Sequence, residues 1–311
     1  MFAYIVRRLL YAIPILLGTT FLLFLLFNVV PGDPALQLAG KHATPEVIQT
    51  IRIELGLNKP WYGQYFDLLK QLMTFDFGRS YWTKQKITDM ISSGAGASFS
   101  LGFPAFIIET AISLIVGLMI ALYRGSLLDK TVVAFSVAAQ SVSLLVYILA
   151  GQYLLAYKWG LFPISGYDPD LIGRWPYLVL PIGIFVFLSV APELRFYRTI
   201  FLDELYQDYV RTARSKGLGM KTVMLRHVLK NAMIPILTNL VISIPFLILG
   251  SVLIESFFQV PGLGDLIVKA IANNDRPVLI SITVLGTFAY IIFNLLSDIL
   301  YAMVDPRVQL K

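Results

Sequence analysis

The sequence predicts an all-α, polytopic membrane protein with six transmembrane helices and both termini in the cytoplasm. Three observations carry the prediction. First, 57% of the 311 residues are hydrophobic, only 14% are charged, and the mean hydropathy is +0.73. Ordinary globular proteins are about 25% charged, so too few polar residues remain here to cover a water-soluble globule. That excludes a soluble enzyme, a disordered chain and a disulfide-stapled secreted module. Second, six apolar runs reach the length of about 20 residues that a bilayer core demands. Third, Lys and Arg are distributed unevenly between alternate connecting segments.

The runs are residues 9–30, 98–122, 131–157, 175–192, 231–254 and 277–297. Glu109 is the one charge inside them. Backbone groups in lipid must be satisfied within the segment, so each run is expected to be helical. A transmembrane barrel would show alternating strands of about ten residues, and these Leu/Ile/Val/Phe blocks do not alternate. The first run follows Arg7 and Arg8 but is too long for an ordinary signal-peptide core and has no small-x-small cleavage site after it, so it reads as a retained helix. With the N-terminus inside, the inner segments carry 14 basic residues and the two short outer loops carry 4: Lys158, Arg174, Lys269 and Arg276. That asymmetry places both termini in the cytoplasm.

Two polar stretches stand between the runs. In the outer loop 31–97, Pro31, Gly32, Asp33 and Pro34 stop the first helix. Thr44 and Pro45 then start another as N-cap and first helical residue. Val47, Ile51, Leu55 and Leu57 predict an amphipathic helix, and a second is expected over 62–73. The loop reads either as a folded cover for helix ends or as a docking surface for a substrate-delivery protein. The inner stretch 193–230 holds eight of the 25 basic residues. Leu202, Leu205, Tyr206, Tyr209, Val210 and Ala213 recur at helical spacing and predict one apolar helix face. Gly217, Leu218 and Gly219 break that helix, and a second begins near Lys221 with Leu225, Val228, Leu229 and Ala232 on its apolar face. The resulting helix–turn–helix fits a partner's groove or, alternatively, an anionic membrane surface.

Charges and breaks near the membrane give further candidates. Glu109 is either a pore-lining residue or a subunit-contact or protonated carboxyl, since a charge in mid-span must face water, protein or a partner. Glu193 and Arg195 read as a gate pair or a plain interfacial ion pair. Glu255 and Asp298 sit near span ends, where headgroup contact is expected. Pro14, Pro104, Pro181, Pro192, Pro235 and Pro245 each remove a backbone donor within or beside a span. The loop 259–264, followed by the apolar residues 266–272, is either a re-entrant segment or a surface turn with an interfacial helix. Metal and thiol chemistry find no support: there is no Cys, and His42 and His227 are far apart.

The segment Arg211-Thr212-Ala213-Arg214-Ser215-Lys216-Gly217, followed by Arg226-His227-Val228-Leu229-Lys230-Asn231-Ala232-Met233-Ile234-Pro235, resembles the signature of ABC importer permeases, in the wording of the oligopeptide/dipeptide/nickel branch. Tyr4 to Leu10 with Pro14, Pro31 to Pro34, Asp76-Phe77-Gly78-Arg79-Ser80, Ile254 to Phe258 with Pro261-Gly262-Leu263-Gly264, and Asp305-Pro306-Arg307 resemble that branch in order along the chain. Arg211 and Thr212 replace the general signature's leading Glu and middle Ala, as the peptide branch itself does, and Ser215 stands where the branch usually has Ala.

The resemblance implies a type I ABC importer transmembrane domain in the bacterial inner membrane. It divides the chain into a first helix (1–30), an outer helical loop (31–97) and a permease core (98–311) with a cytoplasmic coupling loop at 193–230. It implies a second homologous permease, two ATPase subunits and an external substrate-binding protein as partners, with no cofactor on this chain. Tyr209, Val210, Ala213, Arg214, Ser215, Lys216, Gly217 and Leu218 would couple to the ATPase. Glu109, Glu193 and Arg195 are pathway candidates, and Glu255, Pro261, Gly262 and Gly264 would build an outer re-entrant loop. The implied cargo is di- or oligopeptide, with nickel or another small solute as the alternative. An ATP-independent secondary transporter is the rival class; it would need coupling-ion sites in broken helices. ATP chemistry is not expected on this chain, because Gly217-Leu218-Gly219-Met220-Lys221-Thr222 misses the P-loop spacing and follows no strand.

Overall fold

The computed structural model describes residues 2–29, 34–39, 43–54 and 56–304. Pro31 to Asp33, His42, Leu55, Asp305 to Arg307 and Lys311 lie outside the described residues. The described chain is helical. Its elements are α1 (Phe2–Phe24), α2 (Pro34–Ala39), α3 (Pro45–Glu54), α4 (Trp61–Met73), α5 (Ile87–Leu122), α6 (Leu127–Gln140) and α7 (Leu144–Gly151). They continue as α8 (Trp175–Leu205), α9 (Asp208–Ser215), α10 (Met220–Val223), α11 (Leu229–Leu249), α12 (Val252–Phe258), α13 (Leu263–Ala272) and α14 (Arg276–Val304). Three short π-helical stretches, Leu25–Val29, Gln152–Lys158 and Met224–Val228, extend α1, α7 and α10.

Five helices are long and apolar enough to cross a membrane, or six when one bent pair counts as a single span. The bent pair is the predicted third run. It breaks after Gln140, and its halves meet at 88°. The reason lies in Ser141 and Ser143: the Ser143 hydroxyl accepts from the Leu145 backbone N–H at 3.3 Å and caps a new helix. A serine that satisfies the backbone locally competes with helix continuation.

The predicted fourth run was the shortest, yet α8 is 31 residues long and passes through Pro181 and Pro192. The fifth run ends earlier than predicted. Gly250 adopts φ +74° and stops α11, and residues 252–258 form the separate helix α12.

The chain forms two compact units. One comprises Met1–Gly94 with Leu266–Ile292; the other comprises Ala95–Asp265 with Phe293–Leu310. In the first, α3 ends at Glu54, so Leu57 falls in a turn rather than on the predicted helix. Neither α3 nor α4 contains a buried residue. Leu68 and Leu72 of α4 nevertheless pack on a cluster of Leu23, Ile280 and Val284. The Tyr65 hydroxyl donates to the Leu17 carbonyl at 3.0 Å. The segment after Gly78 is pinned by Asp275, which accepts from the Ser80 hydroxyl and from the Tyr81 backbone N–H. Burial holds the Tyr81 phenol above its usual range, with Arg276 pulling it down and Asp275 pushing it up.

The second unit is built by close helix approach. A Cβ on Gly102 of α5 would lie 3.2 Å from the Leu247 carbonyl oxygen of α11. One on Gly117 would lie 3.4 Å from the Leu194 carbonyl oxygen of α8. In a bilayer, where lipid is as apolar as leucine, such small-residue contacts carry much of the packing. One apolar cluster joins Leu101, Ile148, Leu178, Ile254 and Phe258; another joins Tyr197, Phe201, Val210, Val223, Met224 and Ile236.

Candidate functional site

Three places in the second unit draw together the residues singled out by sequence. The first is a cavity of about 340 Å³ among α5, α8 and α11. Leu101, Phe106 and Glu109 line it from α5; Phe185, Ser189 and Glu193 from α8; Ser243, Phe246 and Leu247 from α11, with Gly250 and Ser251 beyond its end. Phe106 and Glu109, Phe185, Ser189 and Glu193, and Ser243, Phe246 and Leu247 recur at spacings of three, four and eight residues, which places each set toward one helix face. Glu109 is 7% exposed. Glu193 accepts from the Asn239 amide of α11 at 3.0 Å.

Arg195 does not join Glu193. Its guanidinium donates to the Ala191 carbonyl and to Gln140 of α6. The expected Glu193–Arg195 ion pair is therefore absent, because residues two apart on a helix point to different faces.

The second place is the inner helix–turn–helix. The predicted single helix through residue 213 is broken: α8 ends at Leu205 and α9 restarts at Asp208. Tyr206 at the break is exposed and lies under the Arg124 guanidinium, 5.3 Å from its ring centroid. Val210 and Ala213 are buried and Tyr209 is half-buried, all three packed within this chain against Phe201, Met224 and Val228. The Tyr209 hydroxyl donates to Glu204 at 2.5 Å. Burial, and then the Glu204 carboxylate, push that phenol up to about 12, so it stays a donor.

The tip consists of Arg214, Ser215, Lys216, Gly217 and Leu218, all exposed. Gly217 takes φ +80°, its N–H donates to the Arg214 carbonyl at 2.9 Å, and the Leu218 N–H donates to the Ala213 carbonyl at 3.4 Å. Those two bonds form a Schellman motif, which needs a residue tolerant of the left-handed region at Gly217. Beyond it, α10 starts at Met220 as the sequence predicts near Lys221. Leu225 is exposed rather than on the buried face with Val228 and Ala232. The π-helical stretch Met224–Val228 rotates the register between those residues.

The third place is the outer loop after α12. Glu255 is fully buried and does not meet headgroups as expected. One carboxylate oxygen accepts from Ser251 N–H at 3.1 Å, and the other from Gly264 N–H at 2.8 Å and Asp265 N–H at 3.3 Å. Gly264 and Asp265 belong to the first turn of α13, so the carboxylate caps that helix where its dipole favours negative charge. The Ser98 hydroxyl accepts from Leu263 N–H at 2.8 Å. A Cβ on Gly250 or Gly262 would collide with the Glu255 carboxylate, and one on Gly264 would lie 2.7 Å from the Val252 nitrogen. Pro261 is exposed, and Gly262 and Gly264 are buried. Burial holds the Glu255 carboxyl above its usual range. The Ser98 hydroxyl and the backbone donors of Asp265, Gly264 and Ser251 offset only part of that.

Sequence reading passed over one strong contact. Asp129 of α6 makes a two-pronged ion pair with Arg198 of α8 at 2.7 and 2.8 Å and also accepts from Gly125 N–H at 2.9 Å. Asp129 is 4% exposed. The signal available was an acidic residue three positions after the helix-starting Ser126, whose hydroxyl accepts from the Asp129 backbone N–H.

Comparison with known proteins gives the family. Residues 113–310 match the family described as binding-protein-dependent transport system inner membrane component. Residues 1–102 match the N-terminal component of the same systems. A Brucella abortus protein named for a peptide transport system permease is 37% identical over 312 residues, covering 99% of both chains. A Sinorhizobium fredii protein named for peptide ABC transport is 34% identical over 311 residues, covering 98% of this chain and 99% of its own. The glutathione transport system permease protein GsiC of Escherichia coli K12 is 32% identical over 314 residues, covering 100% of both. Matched by these models over most of its length, the chain belongs to the family of binding-protein-dependent transport system inner membrane components, as a multi-pass permease of an ABC importer.

Proposed function

We propose that this permease carries di- or oligopeptides, forming half of a pathway completed by a second homologous permease. Two separate ATPase subunits drive it from the cytoplasm, and an external binding protein delivers the cargo. The relatives named above support the substrate class, since glutathione is itself a small peptide. The observation that carries the coupling role is the inner tip. Arg214 to Leu218 stand exposed on a pair of helices whose apolar sides are packed within their own chain. Such a tip transmits force to the spans because α10 runs through Met224–Val228 into α11, α9 packs against Phe201 of α8, and the turn between them is fixed by the Schellman bonds. Val210 and Ala213 serve as the footing, and the exposed residues as the contact. Glu255, Gly262 and Gly264 hold the outer loop in one shape, and Pro261 stands exposed at its turn for contact outside.

The chain holds no cysteine, so a single Leu218→Cys substitution gives a unique thiol. In membranes containing the whole system, a short bifunctional thiol reagent is expected to join that position to an ATPase carrying one cysteine in its cleft, in a nucleotide-dependent yield. Cross-linking only to lipid-exposed probes, with no ATPase adduct in any nucleotide state, would refute the coupling role.

A further inference from the structure

We propose that the cavity among α5, α8 and α11 receives the free ammonium group of the transported solute, with Glu109 as the pairing carboxylate and Glu193 as the second wall. The inference rests on the peptide reading above for the source of that ammonium. Two carboxylates line the cavity, and no Lys, Arg or His does. Arg195, the nearest cation in sequence, is engaged with Ala191 and Gln140. Glu193 is anchored by Asn239. Glu109 is more than nine-tenths buried, lines the cavity, and has no hydrogen bond or ion pair among the described residues. A carboxyl removed from water without a partner either holds a proton or is completed by a cation, and with no Lys, Arg or His in the lining that cation comes from outside.

The lining also selects the kind of cation. No group of three His, Cys, Asp or Glu side chains stands together among the described residues, whereas a dehydrated divalent ion takes six or more oxygen ligands. The remaining walls hold Phe106, Phe185 and Phe246 with the hydroxyls of Ser189, Ser243 and Ser251. Aromatic faces attract organic ammonium groups, and hydroxyls accept from an N–H that one carboxylate leaves over. A space of about 340 Å³ suits a small organic cation with its backbone, falling at the low end of ligand pockets.

The test uses the complete transporter, with its co-purifying subunits, in lipid nanodiscs. Dicyclohexylcarbodiimide modifies carboxyl groups in apolar surroundings, and peptide mapping reads its adduct at Glu109. Millimolar dialanine is expected to slow that modification about tenfold, the factor for one charge-assisted contact, while N-acetyl-dialanine leaves it unchanged. Equal protection by both compounds, or by neither, overturns the proposal. In proteoliposomes, Glu109→Gln is expected to lower dialanine uptake about tenfold per assembled complex, with assembly judged by co-purification. Wild-type uptake by that variant overturns it too. Methylammonium separates this inference from the peptide reading. If it protects Glu109 while the wild-type complex takes up no dialanine, the ammonium site stands and the substrate class falls.

Discussion

Replacing Glu255 with alanine removes the acceptor for three backbone donors at once: Ser251, Gly264 and Asp265. Gly264 and Asp265 are buried, so their N–H groups are shielded from bulk water. Each charge-assisted bond is worth about 1.5–3 kcal/mol. Water entering the vacated space and the relief of a buried carboxyl offset part of that, which leaves a net loss of about 3 kcal/mol for the local fold. Amide exchange at Gly264 and Asp265, read by mass spectrometry on the solubilised complex, should then quicken about a hundredfold. Exchange within about threefold of wild type would refute the staple role. Glu255→Gln keeps one acceptor and should fall between the two. Because burial raises the Glu255 carboxyl above 4.5, the folded loop holds that proton more tightly than the unfolded chain does. That proton-linked increment of stability is fully present below pH 4.5 and is lost as pH rises through the folded value, leaving the three backbone bonds in place. Corrected for intrinsic exchange, the wild-type loop should loosen over that rise and Glu255→Gln should not.

Four further outcomes follow from the geometry. Gly217→Trp should abolish ATP-dependent uptake while the chain remains in the membrane, since φ +80° costs an L-residue about 1–2 kcal/mol and the bulk sits on the exposed inner tip proposed to meet the ATPase; uptake at the normal rate would count against the coupling role. Asp129→Ala leaves the Arg198 guanidinium without its two-pronged partner and should destabilise the solubilised protein by about 3 kcal/mol, read as a lowered unfolding temperature. Gly264→Ala should lower that temperature, because the new Cβ meets Val252 backbone at 2.7 Å, whereas Gly18→Ala meets nothing within 4 Å and should not. Tyr209→Phe should cost about 1 kcal/mol by removing the bond to Glu204, without changing membrane insertion.

Apolar run length was the most legible feature. All six predicted segments are helical over most of their length, the third as a bent pair and the fifth with a break at Gly250, because lipid leaves the backbone no other partner than its own turn. The bend at Ser141–Ser143 was illegible to a hydropathy count, since serines are nearly neutral on such a scale yet recap the backbone. The end of α11 at Gly250 was missed for a related reason: the apolar run continues past it, but φ +74° cannot continue a helix. At the inner tip, the glycine break was readable from composition. The interruption at Tyr206–Gln207 was not, because the apolar spacing on its two sides stays in register. Glu255 was misplaced for want of its partners. Three of its contacts involve backbone N–H groups, which carry no residue-type signal, and the surrounding glycines mark only the room it needs. Glu193 and Arg195 look paired in a linear string, but helix geometry sends them to Asn239 and Gln140.

The proposed coupling makes this polypeptide a gate moved by a separate motor at its inner tip. Reconstitution into sealed vesicles measures that directly, by following solute accumulation against a gradient with and without the co-purifying ATPase subunits. Accumulation is expected only when those subunits, the binding protein and ATP are all present. Uphill accumulation by the permease pair without any ATPase would contradict it.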